Sequence, residues 1–159
     1  TEVFFALAEI SDRFEVMALM FQREVAERFV AGPGEDDYSL LSLMSRVYAD
    51  AEIAMTLPAG AFLPPPRVSS AVVRFEPIEG TRIPDPDLRE TFREVVRSAF
   101  QRRRKTLPNA LMGTDLPKDE LRSIVEATEL DPRIRPEKVS FQAFVEIATA
   151  VHAAYDSRE

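Results

Sequence analysis

Apolar and polar positions change their period several times along this chain, and each change marks an element. Near the start, Val3, Phe4, Leu7 and Ala8 share one helical face of an apolar segment that runs to Ile10. The run FEVMALMF over residues 14–21 is nearly continuous in apolar residues, the pattern of a central parallel strand buried on both faces of a sheet. The period then turns helical over residues 22–30. Val25, Ala26 and Phe29 face inward, Arg23, Glu27 and Arg28 face outward, and Ala31-Gly32-Pro33-Gly34 ends the helix. A second helix is expected over 38–48 and strands over 50–57 and 70–75, with a proline-rich loop from Pro58 to Pro66 between the strands.

This order of helices and strands predicts an α/β fold, yet three strands make half of a doubly wound sheet. The glycine-rich turn that follows the first strand of such sheets is not in the sequence. The expectation is therefore a partial domain over residues 1–79 whose N-terminal half lies upstream. Residues 80–86 close a proline- and glycine-bearing stretch without an apolar face and are expected to form a linker. The remainder, 87–159, reads as an all-helical module with helices over 87–100, 106–112, 118–128 and 140–155. Asp87 and Ser140 are the expected N-caps of the first and last of these.

Composition narrows the possibilities. Of 159 residues, 45% are apolar and 30% charged, which excludes collagen-like and disordered chains. Without cysteine there is no disulfide framework, thiolate metal site or cysteine nucleophile, and one histidine, His152, is too few for a histidine metal cluster. His152 reads as a surface residue. The adjacent carboxylates Asp36 and Asp37 have no second cluster beside them, so no metal is expected. No apolar run reaches the roughly 20 residues of a membrane span, so no membrane partner is expected and a soluble, cytoplasmic protein is.

The net charge of −7 hides a strong local reversal. Residues 89–105 hold seven basic side chains (Arg89, Arg93, Arg97, Arg102, Arg103, Arg104 and Lys105) against Glu90 and Glu94. The four consecutive cations 102–105 repel one another and need a polyanion or water around them. They suit the phosphates of an RNA; a solvated helix end would also account for them. Arg89, Arg93 and Arg97 either extend the stripe or simply face solvent.

The prolines near Phe62 restrict φ and stiffen the loop between two strands, so the Phe62 ring would be held in a pre-ordered position. Either it anchors the loop to the core or it offers a flat face to a nucleobase, and such stacking is worth about 1 to 3 kcal/mol. Gln22 and Glu24 start the helix after the first strand, where open α/β sheets place ligands, and capping is their other reading. Pro64 and Pro66 are expected to line the same cleft.

Three separated motifs carry a resemblance. Phe62-Leu63-Pro64-Pro65-Pro66-Arg67-Val68-Ser69-Ser70-Ala71-Val72-Val73 is similar to the FxPxPxVxSxVV segment of the KsgA family, the small-subunit rRNA adenine N6-dimethyltransferases. The run from Leu19 to Arg28 resembles that family's LQKEVAERL-type stretch, and the run from Phe100 to Asn109 its FSQRRKTLRN-type segment. The resemblance implies a class I, Rossmann-like methyltransferase sheet followed by a helical RNA-binding domain. It further implies S-adenosylmethionine as methyl donor, dimethylation of adenosines near the 3′ end of small-subunit rRNA, and a small-subunit precursor particle as partner. Phe62 would stack on the target adenine, and Arg102, Arg103, Arg104 and Lys105 would contact RNA. The family's NLPY-type motif and donor-binding turn are expected upstream of Thr1, so residues 1–159 alone are expected to be inactive.

The sequence departs from the pattern at Pro108, where arginine is usual, at Arg102, where glutamine is usual, and at Ser69, where aspartate is common. Large-subunit rRNA adenine methyltransferases share a similar proline loop but lack the segment from Arg103 to Thr106. Two other readings stand beside the enzyme: a non-catalytic module that docks on RNA or the ribosome, and an organellar relative.

Overall fold

A computed structural model describes residues 1–158, which divide into two compact units. The first comprises residues 1–31 and 37–82, the second 32–36 and 83–158.

The first unit holds α1 (Glu2–Ala8), β1 (Met17–Gln22), α2 (Arg23–Val30), α3 (Leu40–Arg46), β2 (Ala49–Leu57) and β3 (Ser70–Pro77). Its sheet has the order β1-β3-β2, and both pairings are antiparallel. β3 therefore returns from the long loop and inserts between the other two strands. This corrects the expectation of a central, doubly buried parallel strand at 14–21. β1 is an edge strand among the described residues, with Met17 buried, Leu19 and Phe21 half-buried, and Ala18 and Met20 exposed. A continuous apolar run reports hydrophobicity, not the direction of the neighbouring strand. Phe14 and Val16 lie before the strand and are exposed.

The inward face of this sheet closes on phenylalanines. Phe4 of α1 lies 4.4 Å from Phe75 and 5.2 Å from Phe29 between ring centroids, and Phe29 lies 5.1 Å from Phe75 and 4.8 Å from Phe21. Rings at these offsets gain edge and tilt contacts beyond simple burial. The register that places Phe75 opposite Met17 and Ala51 also aligns Met20, Val72 and Met55 across the outward face. A bulge between Ile53 and Met55 adds a residue to β2.

The second unit contains α4 (Pro86–Gln101), α5 (Leu107–Ala110), α6 (Lys118–Ala127) and α7 (Phe141–Asp156). Phe92, Val95, Val96 and Ala99 of α4 and Phe144, Ile147, Ala148 and Val151 of α7 are fully buried, with Leu107, Leu111, Leu121 and Val125. Asp85, not Asp87, caps α4: its carboxylate accepts the N–H groups of Asp87 at 2.9 Å and Leu88 at 3.5 Å. Pro86 occupies the first helical position, where its missing N–H has no helical partner to lose. Ser140 caps α7 by accepting the N–H of Ala143 at 3.2 Å. Pro108 sits at the second position of α5, again where no intrahelical N–H bond is needed, so the exchange from arginine leaves the helix start intact.

Residues 80–86 are tied down at both ends. Arg82 makes a two-pronged pair with Asp50, at 2.9 and 2.8 Å, while Arg89 donates to the carbonyls of Ile83 and Pro84. His152 is not the unpartnered surface residue expected from the sequence: its Nδ1 lies 3.0 Å from the Thr91 hydroxyl and three-quarters of its side chain is covered.

Candidate functional site

Strand register brings three chain segments to one edge of the sheet. Gln22, the last residue of β1, and Leu57, the last of β2, both pair with Ser70, the first of β3. The carboxyl ends of β1 and β2 therefore flank the end of the loop 58–69, and the Arg23 N–H donates to the Ser69 carbonyl at 2.9 Å. Ligands of open α/β sheets gather at such an edge, outside the carboxyl ends of the strands.

Phe62 stands in this loop, just after a single 3-10 turn over Ala59–Ala61, and its N–H donates to the Ala59 carbonyl at 3.3 Å. The residue is half-buried and its ring touches no other aromatic ring among the described residues. It is therefore not sealed in the phenylalanine core. Leu63, joined to Pro64 by a cis peptide, is 98% exposed, and Pro64, Pro65 and Pro66 are exposed as well. An apolar ridge so placed has one partly sheltered ring and a solvent-facing crest.

Gln22 is exposed at the same edge and makes no side-chain capping bond to α2. Glu24 accepts from Arg28, and Arg23 pairs with Glu27, so the first turn of α2 is laced by (i, i+4) pairs. No hydrogen bond links Gln22 or Glu24 to Phe62 among the described residues.

Farther along the sheet a shallow concavity is lined by Asp50, Ala51, Glu52, Arg74 and Glu76. Arg74 pairs with both Glu76 and Glu52, and these hydrogen bonds hold its guanidinium above its ordinary pKa. Its charges are paired with one another, so it makes a poor cradle for a nucleoside cofactor. Among the described residues no group of three or more His, Asp or Glu side chains could hold a metal ion, and no helix is long and apolar enough to cross a membrane.

The basic segment lies in the second unit, immediately after α4. Gln101, Arg102, Arg103, Arg104 and Lys105 line a second concavity and are all exposed. A turn in which the Lys105 N–H donates to the Arg102 carbonyl at 2.8 Å folds the segment back on itself. The side chains of Arg102, Arg104 and Lys105 have no hydrogen-bond or ion-pair partner among the described residues, whereas Arg103 does. The helical stripe before it is not uniform either: Arg89 is spent on backbone carbonyls and Arg93 pairs with Glu90, leaving Arg97 exposed. Sequence spacing shows which residues share a face but not which have partners.

The same fold recurs over part of two solved transferase chains. A dimethyladenosine transferase from Plasmodium falciparum superposes with a TM-score of 0.73 at 23% identity, over 90% of this chain and 60% of that one. The 23S rRNA methyltransferase ErmE superposes with a TM-score of 0.60 at 16% identity, over 86% of this chain and 55% of that one. The family follows from the sequence itself: residues 2–152 match the model of the ribosomal RNA adenine dimethylases, and the chain belongs to that family. Among curated relatives named ribosomal RNA small subunit methyltransferase A, that of Syntrophotalea carbinolica is 38% identical over 95% of this chain and 57% of its own length. Those of Desulfitobacterium hafniense and Pseudomonas aeruginosa are 42% and 41% identical, over 90% and 93% of this chain and 51% and 53% of their own lengths. The chain thus spans about half the length of the curated relatives it matches.

Proposed function

We propose that the protein to which this chain belongs dimethylates N6 of adenosines near the 3′ end of small-subunit rRNA. S-adenosylmethionine supplies the methyl groups, and a small-subunit precursor particle is the substrate. The observation that carries the reading is the half-buried Phe62 on its proline-braced loop, at the carboxyl edge of the sheet. An adenine removed from its helix loses its stacking neighbours, and a flat apolar ring restores one of them. Holding the ring plane fixed also orients the exocyclic nitrogen, and orientation of this kind contributes several kcal/mol to a displacement reaction.

This chain's own part is therefore on the substrate side. Phe62 forms the platform, Pro64 and Pro66 stiffen the wall beside it, and Gln22 and Glu24 border the same edge. The donor's place is inferred from the family. The basic segment from Arg102 to Lys105 contacts phosphate, which positions an RNA without reading its sequence.

The test is methyl transfer to undermethylated small subunits by the intact protein. Phe62→Ala is expected to lower kcat at least ten-fold with particle binding retained, while Arg102→Glu/Arg104→Glu is expected to lose binding. Wild-type turnover by Phe62→Ala would refute the platform, and particle binding without any turnover by the unaltered protein would favour a docking module.

A further inference from the structure

The four cations of the basic segment do not have equal surroundings. Arg103 Nε lies 3.5 Å from the Glu137 carboxylate, and its Nη2 donates to the Asp36 carbonyl at 3.3 Å. Glu137 holds the neighbouring loop a second time, because its own carbonyl accepts the Gly34 N–H at 2.7 Å. Gly34 takes φ +92°, a conformation open to glycine, and a Cβ there would lie 3.4 Å from Lys138 Nζ. Arg103 and Glu137 thus clasp residues 32–36, a loop that is remote in sequence but belongs to the helical unit. Arg102, Arg104 and Lys105, on either side of Arg103, have no such partner among the described residues.

From this asymmetry we infer that Arg103 is a positioning residue that anchors the basic turn to Glu137 and the 32–36 loop, while Arg102, Arg104 and Lys105 are the side chains that meet RNA phosphate. The inference rests on the reading of this segment as an RNA contact and divides the labour within it. The physical reason is charge compensation. A guanidinium already facing a carboxylate neutralises less phosphate charge, so fewer of the cations condensed on the RNA are released, and that release is what makes RNA binding salt-dependent. An anchored residue in the middle of a run of like charges also limits how far its neighbours can splay apart. The pair is partly exposed, so it acts by orienting the turn and not as a pillar of the fold.

The experiment is a salt series of equilibrium binding by the intact protein to transcribed small-subunit rRNA. Arg102→Gln, Arg104→Gln and Lys105→Gln should each reduce the slope of log K against log salt by about 0.7 to 0.9. Arg103→Gln should weaken binding several-fold with the slope unchanged, and the swap Arg103→Glu/Glu137→Arg should recover most of the affinity lost by Arg103→Glu alone. Without RNA, Arg103→Gln should speed amide exchange at Gly34, whereas Arg104→Gln should not. A slope reduced by Arg103→Gln as much as by Arg104→Gln, with no recovery in the swap, would overturn the division of roles and leave the RNA contact standing. Slopes unchanged in all four single variants would overturn the RNA contact itself, and the inference with it.

Discussion

The hydroxyl of Ser98 accepts the N–H of Gly113 at 3.0 Å and donates to the carbonyl of Ala110 at 2.9 Å. One buried oxygen thereby joins α4 to the turn that follows α5. The approach requires glycine, since a Cβ at position 113 would lie 2.4 Å from that oxygen and 3.2 Å from Ser98 Cβ.

Gly113→Ala must therefore push the Ser98 hydroxyl out of both bonds, and a cost of about 2 to 3 kcal/mol is expected from overpacking and lost bonding. Ser98→Ala removes the bonds without the clash and should cost about 1 to 2 kcal/mol. The two changes share one atom, so the double variant should lose less than the sum of the single losses. Urea unfolding of the four proteins completes the cycle, and strict additivity would show that the two residues do not interact.

Stability at high pH is set in part by two phenols. Burial pushes Tyr38 far above the ordinary value of 10.0. Tyr155 is also raised, chiefly by burial, with the nearby Glu94 carboxylate disfavouring the phenolate and the Asp115 N–H partly opposing the shift. Below pH 10 both phenols are protonated whether the chain is folded or not, so their contribution is fully present. Above it the unfolded chain releases the protons first, and stability falls as pH rises toward the folded values. The urea midpoint should drop steadily on the alkaline side. Tyr155→Phe should begin lower, having lost its hydrogen bonds, yet decline less steeply; parallel declines would show that Tyr155 does not contribute to the alkaline loss of stability.

The helices were legible because their apolar periodicity is long and their ends are marked. The apolar face of Leu88, Phe92, Val95, Val96 and Ala99 is sufficient to define α4, and two aspartates flanking Pro86 left only the choice of cap. Asp85 serves because proline is suited to the first helical position, which makes the residue before it the cap. Strand direction was not legible. The run around Met17–Gln22 carries burial information alone, and its antiparallel pairing depends on β3 returning from a loop whose path is not encoded in β1. Within the site, Phe62 could be picked out from its prolines and the basic turn from its charge. The special surroundings of Arg103 could not, since Asp36 and Glu137 are distant in sequence and ordinary in type.

The loop beside Phe62 owes its stiffness to its prolines. Pro64, Pro65 and Pro66 are exposed and support no part of the phenylalanine core, so their replacement should not unfold the first unit. Their contribution is to restrict the backbone on which the ring is carried. Pro65→Gly/Pro66→Gly widens the range of ring positions, and fewer of these hold an adenine in reacting geometry. If Phe62 is the platform, kcat for methyl transfer should fall on the order of ten-fold, less than the roughly hundred-fold that a displacement of about 1 Å can cost. The thermal midpoint should be unchanged, which separates loss of order in the loop from loss of the fold. Unaltered kcat in this variant would mean that the prolines have no part in holding the ring.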